Sequence, residues 1–267
     1  MEFADLNARG LVLVGCGRMG GALLDGWLKN GLLAGAVHVI EPHPRPELSD
    51  LGVSLNADLP ADPAVLVIAV KPQMMADVLP RLSVGARTLV VSVAAGVTIA
   101  AYEAAFPGAP IVRTMPNTPA AIGQGVTAII GNGLAGPAEL DLTEALMAAV
   151  GRVVRLQDEA QMDAVTALSG SGPAYVFHMI EAMAAAGVAE GLAPDLALAL
   201  ARATVAGAGA LAVADDEDPG KLRENVTSPG GTTAAGLGVL MDPGTGLPPL
   251  MRSTVAAAAA RSRELGK

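Results

Sequence analysis

Residues 11 to 20 read Leu11-Val12-Leu13-Val14-Gly15-Cys16-Gly17-Arg18-Met19-Gly20, and this stretch decides the fold of the amino-terminal half. Its apolar run is typical of a buried strand, and small and apolar residues at helical spacing follow it. The glycines predict a tight turn, in which Gly15 bends the chain, Gly17 lets backbone approach a ligand and Gly20 lets the helix lie close to the sheet. Because free N–H groups at a helix start attract phosphates, we expect residues 15–20 to bind the pyrophosphate of a dinucleotide. An ordinary strand–helix turn in a glycine-rich chain is the alternative.

The composition bounds the class of protein. The chain has 267 residues, of which 52% are hydrophobic and only 2% aromatic, and its net charge is −9. This charge argues against nucleic acid and anionic membranes as partners. A single cysteine excludes an internal disulfide, and the three histidines show no metal-ligand spacing, so we expect no metal. The long uncharged stretches are broken by proline and glycine and the first residues do not form a secretory signal, so we expect a soluble, cytoplasmic protein.

The order of apolar runs predicts two domains. Short β-branched runs alternate with helical patterns through the first half, which predicts an α/β domain with a doubly wound parallel sheet over residues 1–157. The expected strands are Leu11–Val14, Ala36–Ile40, Val65–Val70, Thr88–Val93, Pro110–Val112, Val126–Ile130 and Arg152–Leu156. Alanine-rich helical patterns then fill residues 158–267, which predicts an all-helical domain. Small residues on many helix faces there indicate a homodimer built through this domain.

Several polar residues stand where strands end, which is where ligands bind in such sheets. Glu41 follows the second expected strand and can accept hydrogen bonds from an adenosine ribose, which favours NAD(H). His43 and Arg45 follow at once and can meet a 2′-phosphate instead, so the choice between NAD(H) and NADP(H) stays open. Lys71 ends another strand and is either a ligand contact or an ordinary solvated lysine. Asn117 lies in a proline-stiffened loop, from which its side chain can hydrogen-bond a carboxamide.

Two glycine- and hydroxyl-rich segments precede helices in the second half. They are Leu168-Ser169-Gly170-Ser171-Gly172-Pro173 and Thr227-Ser228-Pro229-Gly230-Gly231-Thr232-Thr233. Exposed backbone N–H groups, hydroxyls and a helix start together can hold a carboxylate, although simple helix capping is the alternative for each segment.

Taken together, these stretches resemble the pyrroline-5-carboxylate reductase family. The resemblance rests on the turn at residues 15–20, Ala69-Val70-Lys71-Pro72, Met115-Pro116-Asn117-Thr118-Pro119, the segment Ala167–Tyr175 and Ser228-Pro229-Gly230-Gly231-Thr232-Thr233, in the family's order and spacing. It implies reduction of the cyclic imine 1-pyrroline-5-carboxylate to L-proline, the last step of proline biosynthesis, with NADPH or NADH. It also implies a Rossmann-type domain followed by a helical dimerisation domain, and dimers that assemble further, commonly into decamers.

The same resemblance implies roles for individual residues. Ala69, Val70, Lys71 and Pro72 match the segment lining the nicotinamide half, and Asn56 lies where the family often has an asparagine near the ribose. Ser228, Gly230, Gly231, Thr232 and Thr233 match the loop that binds the substrate carboxylate. Two of the matched residues have catalytic roles: Thr233 places its hydroxyl at the ring nitrogen, and Glu159 is a substrate-side acid.

Three other functions remain as alternatives: another two-domain imino-acid dehydrogenase, a β-hydroxyacid dehydrogenase and a non-catalytic nucleotide-binding regulator. A β-hydroxyacid dehydrogenase shares the two-domain plan, but it needs a lysine on the helix after its second glycine motif, where this chain has Val176, Phe177 and His178. A non-catalytic nucleotide-binding regulator would need the first glycine turn but no carboxylate loop such as Ser228–Thr233.

Overall fold

The computed structural model describes residues 4–85 and 87–266, which form two compact units. The first unit runs through Gly170 and includes the end of the chain from Ala258; the second comprises Ser171–Ala257. The predicted domain boundary between residues 157 and 158 lies within the first unit and stays a prediction.

The first unit contains a mostly parallel sheet of eight strands, in the spatial order β3-β2-β1-β4-β5-β6-β7-β8. The strands are β1 (Leu11–Val14), β2 (Val37–Ile40), β3 (Ser54–Leu55), β4 (Val65–Ile68), β5 (Leu89–Ser92), β6 (Ile111–Met115), β7 (Gly125–Gly131) and β8 (Gly151–Arg155). β1 pairs with β2 on one side and with β4 on the other, all parallel. The strand order therefore reverses between β1 and β4, and the carboxyl ends of these two strands border the crevice where ligands bind in doubly wound sheets. This confirms the predicted fold class.

One strand departs from the predicted parallel arrangement. β7 pairs antiparallel with β6, and Thr114 faces Ile129 in the register. The connection from residue 116 to residue 124 contains only a short 3₁₀ turn. A parallel pairing needs a crossover of about a dozen residues or more, whereas an antiparallel neighbour can be reached by a short loop. β8 then returns parallel to β7 after a helix.

Helices cover the sheet of the first unit and make up the second. The helices before Gly170 are α1 (Ala4–Arg9), α2 (Arg18–Lys29), α3 (Met75–Val78), α4 (Ile99–Ala105), α5 (Pro137–Ala148) and α6 (Met162–Val165). The remaining helices are α7 (Gly172–Ala189), α8 (Pro194–Ala214), α9 (Pro219–Asn225), α10 (Thr232–Leu240) and α11 (Leu247–Leu265). α2 is anchored by Trp27, which is fully buried and donates its indole N–H to the carbonyl of Leu146 at 2.9 Å. This contact fixes α2 against α5 and thereby fixes the position of the glycine turn at its start.

The second unit has almost no core of its own. Within residues 171–257, all of which the structure describes, only Ala197 and Ala201 have buried side chains. α7 instead presents large apolar side chains on its surface in the single chain, since Phe177 is 60% exposed and Met179 is 42% exposed.

α8 is long and apolar enough, by length and composition alone, to cross a membrane, and only 11% of its most apolar window is buried. The sequence prediction of no membrane segment considered only uncharged stretches, and α8 contains Arg202. One helix of this kind is weak evidence, since core helices of soluble proteins pass the same test.

Candidate active site

The glycine turn has the geometry that a bound pyrophosphate requires. Gly15 has φ +90°, and a Cβ there would lie 2.7 Å from the carbonyl oxygen of Ala69. A Cβ on Gly20 would collide with the carbonyl oxygen of Gly15, so α2 can approach the strand only with glycine at this position. A Cβ on Gly17 would meet nothing within 4 Å and would project into open space. Gly15 and Gly20 are thus needed by the fold, whereas Gly17 leaves room for a ligand, and the turn fits a dinucleotide.

A cleft of about 440 Å³ opens beside this turn. It is lined by Cys16, Gly17, Arg18, Gly21, Ala22, Asp25, His43, Arg45 and Ala121. Cys16 is buried, and this burial raises the pKa of its thiol to about 11. The thiol therefore stays protonated at neutral pH and acts as a small apolar side chain.

Glu41 lies at the end of β2 and faces the glycine turn. Its carboxylate accepts hydrogen bonds from the backbone N–H of Cys16 at 2.8 Å and from that of His43 at 3.0 Å. The side chain of Asn56 in turn accepts from the N–H of Glu41 and donates to its carbonyl, both at 2.9 Å. Asn56 is the only non-glycine residue with positive φ (51°) in the part of the chain that the structure describes. Its amide thus holds the end of β2 in place, and its predicted contact with a ribose remains a prediction.

Arg45 and Asp25 form an ion pair at the wall of the cleft. Arg45 belongs to the loop after β2 and Asp25 to α2, and both side chains are partly exposed. The pKa of the Arg45 guanidinium is raised, first by its hydrogen bond to Asp25. Sequence reasoning considered Arg45 as a phosphate contact but did not find this partner.

The segment Ala69–Pro72 follows β4 and packs against the glycine turn. The N–H of Ala69 donates to the carbonyl of Val14 at 2.7 Å, and a Cβ on Gly15 would lie 2.9 Å from Val70. Lys71 is exposed. The structure thus brings together the residue 15–20 turn, Glu41 and Ala69–Pro72 at the carboxyl ends of neighbouring strands, as expected.

Asn117 holds two segments of the first unit together. Its amide oxygen accepts from the N–H of Val126 at 2.9 Å, and its amide nitrogen donates to the carbonyl and hydroxyl of Ser169, both at 3.4 Å. Ser169 lies in a π-helical turn, residues Thr166–Gly170, a feature often found at functional sites. The predicted contact of Asn117 with a carboxamide remains a prediction.

Glu159 is engaged in a largely buried ion pair. Its Oε1 lies 2.6 Å from Nη1 of Arg113 and accepts the backbone N–H of Ile99 at 2.8 Å. The Arg113 side chain is 5% exposed and that of Glu159 31%. Sequence reasoning assigned Glu159 to the substrate and missed Arg113, although a lone arginine in an apolar strand signals an acidic partner. The catalytic role of Glu159 stays a prediction.

The predicted carboxylate loop lies in the second unit, before α10. Gly230 has φ +69°. Gly231 is the N-cap of α10 and has no side chain that could accept from the first N–H groups of this helix. The side chains of Ser228, Thr232 and Thr233 are exposed. The loop therefore presents free donors and hydroxyls, as an anion site requires.

No group of three or more His, Cys, Asp or Glu side chains is arranged to hold a metal ion among the described residues. The expectation that the protein needs no metal remains a prediction.

The doubly wound sheet and the glycine turn at residues 15–20 together define a class of protein. It is the class of oxidoreductases that bind a nicotinamide dinucleotide on a Rossmann-type domain. Residues 11–96 match a family described as NADP oxidoreductase, coenzyme F420-dependent, and residues 159–265 match one described as pyrroline-5-carboxylate reductase dimerisation.

Similar proteins narrow this class. The pyrroline-5-carboxylate reductase of Methanosarcina acetivorans is 39% identical over 95% of this chain and 97% of its own length, and that of Pseudomonas aeruginosa 37% identical over 96% and 97%. The solved pyrroline-5-carboxylate reductase of Coxiella burnetii has a TM-score of 0.88 at 33% identity, covering 97% of this chain and 99% of that one. The Plasmodium falciparum pyrroline carboxylate reductase with NADP bound has a TM-score of 0.83 at 28% identity, covering 98% and 99%. This chain belongs to the pyrroline-5-carboxylate reductase family.

Proposed function

We propose that this protein reduces 1-pyrroline-5-carboxylate to L-proline with a nicotinamide dinucleotide as hydride donor. The observation that carries the proposal is similarity to pyrroline-5-carboxylate reductases over nearly the whole chain, together with a glycine turn shaped for a pyrophosphate. A β-hydroxyacid dehydrogenase and a nucleotide-binding regulator would also have this glycine turn, but neither is named among the relatives described above.

Residues of the first unit would hold the cofactor. The turn at residues 15–20 would bind the pyrophosphate through backbone N–H groups, while Glu41 and Asn56 face the ribose and Ala69–Pro72 and Asn117 line the nicotinamide half. A bound reduced nicotinamide supplies the hydride. The protein then has to hold the substrate in place and exclude water, and correct placement of two reactants supplies up to about 7–11 kcal/mol.

The substrate is a good hydride acceptor once its ring nitrogen is protonated. The hydride adds to C5 of the C=N bond, whose electron pair moves to nitrogen and leaves the secondary amine of proline. We propose that Ser228, Gly230, Gly231, Thr232 and Thr233 bind the carboxylate. The Thr233 hydroxyl would hydrogen-bond the nitrogen as it becomes an amine, and Glu159 would favour the cationic imine to the extent that Arg113 leaves its charge uncompensated.

The assembly is proposed to be a homodimer that forms through the helical region and assembles further, with a decamer as one candidate. The match to a dimerisation family supports this, as do the exposed apolar side chains of α7 and α8, among them Phe177 and Leu200. Burial of these faces against a second copy would also explain the apolar surface of α8 without a membrane. We further propose a cytoplasmic location and no nucleic-acid partner, which the net charge of −9 supports.

The test follows the absorbance of the reduced dinucleotide at 340 nm. Oxidation of NADPH or NADH is measured with the five-membered cyclic imine and with its six-membered analogue. Reduction of NADP⁺ or NAD⁺ is measured with a β-hydroxyacid. We expect turnover with the five-membered imine. Binding of the dinucleotide without turnover would indicate a regulator, and turnover of the hydroxyacid alone would indicate the other dehydrogenase class.

A second test concerns Thr233. We expect Thr233→Val to lower kcat/KM by about 10- to 100-fold through the loss of one hydrogen bond to the reacting nitrogen, and Thr233→Ser to restore most of it. Ser253→Ala is the matched control, since it removes an exposed hydroxyl that bonds only the carbonyl of Pro249 in the same helix. Unchanged kinetics in Thr233→Val would remove this residue from the mechanism.

A further inference from the structure

We propose that Asp25 is a specificity-determining residue that weakens the binding of a 2′-phosphate by neutralising Arg45, and thereby shifts this protein from NADPH towards NADH. The proposal rests on the proposed function in one respect, namely that a dinucleotide occupies the cleft beside the glycine turn. Its first support is position, because Asp25 and Arg45 both line this cleft together with Cys16 and Gly17.

Arg45 is the cation best placed to meet a 2′-phosphate. It lies four residues after Glu41, in the loop that follows β2, where dinucleotide-binding folds receive the adenosine ribose and where an arginine accommodates the 2′-phosphate of NADP. Its guanidinium carbon lies 3.9 Å from the position of a Cβ on Gly21, so the guanidinium rests on the first turn of α2.

Asp25 restrains this guanidinium in one orientation. One terminal nitrogen of Arg45 bonds the Asp25 carboxylate, and the Nε of Arg45 is buried without a hydrogen-bond acceptor. The side chains of Arg45 and Asp25 are 37% and 41% exposed, so the pair sits at the rim of the cleft rather than in the core. Asp25 therefore holds the guanidinium at the rim of the ligand cleft.

The ion pair between Arg45 and Asp25 affects the binding of NADPH and NADH differently, because the two cofactors differ in charge. A 2′-phosphate carries nearly two negative charges, whereas the 2′-hydroxyl of NADH is neutral. A phosphate contacting Arg45 would lie close to the Asp25 carboxylate and near that of Glu41, which already accepts two backbone N–H groups. Both carboxylates repel a phosphate, but only Asp25 also competes with it for the arginine. Arg18 and His43 remain as the other basic side chains lining the cleft.

Removing the charge of Asp25 should therefore favour binding of the more highly charged cofactor, NADP(H). Asp25→Asn keeps the shape of the side chain and a hydrogen-bond acceptor but removes the competing charge. We expect the ratio of NADP⁺ to NAD⁺ affinity to rise by about 5- to 30-fold, mainly through tighter NADP⁺ binding. Arg45→Gln should lower the same ratio, and Asp25→Asn should have a smaller effect in the Arg45→Gln background, because Asp25 acts mainly through the arginine.

The experiment is titration calorimetry of the full chain with NADP⁺ and with NAD⁺, for the wild type, the two single variants and the double variant. The kcat/KM ratio for NADPH and NADH is measured in parallel. Asp50→Asn is the matched control, since it removes one carboxylate from an exposed side chain of the neighbouring 3₁₀ segment, Pro46–Leu51, and is expected to leave the ratio unchanged. Thermal melts verify folding, and Asp25→Ser serves as a second variant.

Each result separates the two proposals. A ratio unchanged in both Asp25 variants, or changed equally by Asp50→Asn, would overturn the role of Asp25 and leave the proposed function intact. A shifted ratio in a protein that does not turn over the imine would uphold the role of Asp25 while the proposed reaction fails. Failure of the wild-type protein to bind either dinucleotide would overturn both the role of Asp25 and the proposed function.

Discussion

The ion pair between Arg113 and Glu159 allows a structural role to be separated from a catalytic one. The perturbation is Glu159→Ala, which leaves the guanidinium of Arg113, 5% exposed, without its partner and removes the acceptor of the Ile99 N–H. Breaking a fully buried pair costs about 3–5 kcal/mol, and the value belongs at the lower end here because Glu159 is 31% exposed. We therefore expect the free energy of unfolding to fall by about 3 kcal/mol.

Thermal unfolding measures this loss. For a chain of 267 residues, 1 kcal/mol corresponds to about 2 °C, so Glu159→Ala should lower Tm by about 6 °C. Glu159→Gln retains an oxygen that accepts from Arg113 and Ile99, and it should cost about 1–2 kcal/mol. The variant Arg113→Met combined with Glu159→Ala should lose less than the sum of the two single variants, because no unpaired charge remains.

The kinetics of the same variants test the catalytic prediction. If Glu159 acts mainly by holding Arg113, Glu159→Gln should keep kcat/KM within a few-fold of wild type while Tm falls. A Tm unchanged to within 1 °C in Glu159→Ala would refute the reasoning from the ion pair. A loss of 100-fold or more in kcat/KM for Glu159→Gln at unchanged Tm would establish the catalytic role instead.

Three further predictions concern residues around the glycine turn and one buried amide. Gly17→Ala should leave Tm unchanged but weaken dinucleotide binding at least 100-fold in calorimetry, whereas Gly20→Ala should destabilise the fold itself, since its Cβ would collide with Gly15. Cys16 should resist iodoacetamide at pH 8 and react after unfolding in urea, because a pKa of about 11 leaves about one thiol in a thousand ionised; rapid alkylation of the folded protein, followed by mass spectrometry, would contradict this. Asn132→Ala should lower the free energy of unfolding by about 3 kcal/mol in urea titrations, because the Asn132 side chain accepts the N–H groups of Ile111 and Ala135; a loss below 1 kcal/mol would mean that water replaces the amide.

The parts of the fold that local chemistry determines were predictable from the sequence. β1 was predicted with its observed bounds, because a continuous apolar run before a glycine turn has few other conformations. β6 was predicted to end at Val112 but runs to Met115. Its last residues include Arg113 and Thr114, whose polar groups are satisfied by Glu159 and by the carbonyl of Ser92, and no local pattern identifies which distant residues these partners are.

The short edge strand β3 was missed for a related reason. It has only two residues, Ser54–Leu55, and is defined by its pairing with β2 rather than by an apolar run of its own. The antiparallel direction of β7 was also missed, although the short connection before it carries the necessary information.

The candidate site, like the fold, was predictable where local sequence determines it and not where distant partners do. Positions at the ends of strands were predictable, because a parallel sheet brings those ends to one edge. The partners of each side chain were not, since Glu41 meets Cys16 and Asp25 meets Arg45 only after folding. Asp25 in particular has the sequence pattern of an ordinary exposed acid on a helix.

In the proposed homodimer, the near absence of buried side chains between Ser171 and Ala257 would make stability depend on protein concentration. A helical region that buries only two alanine side chains by itself gains little free energy from folding alone, so association with a second copy would supply the remainder. Melting temperature should then rise with the logarithm of concentration, and dilution should melt the helices before the sheet. Substitutions on the exposed faces of α7 and α8 that weaken association should accordingly lower the melting temperature of the protein and shorten its cellular half-life.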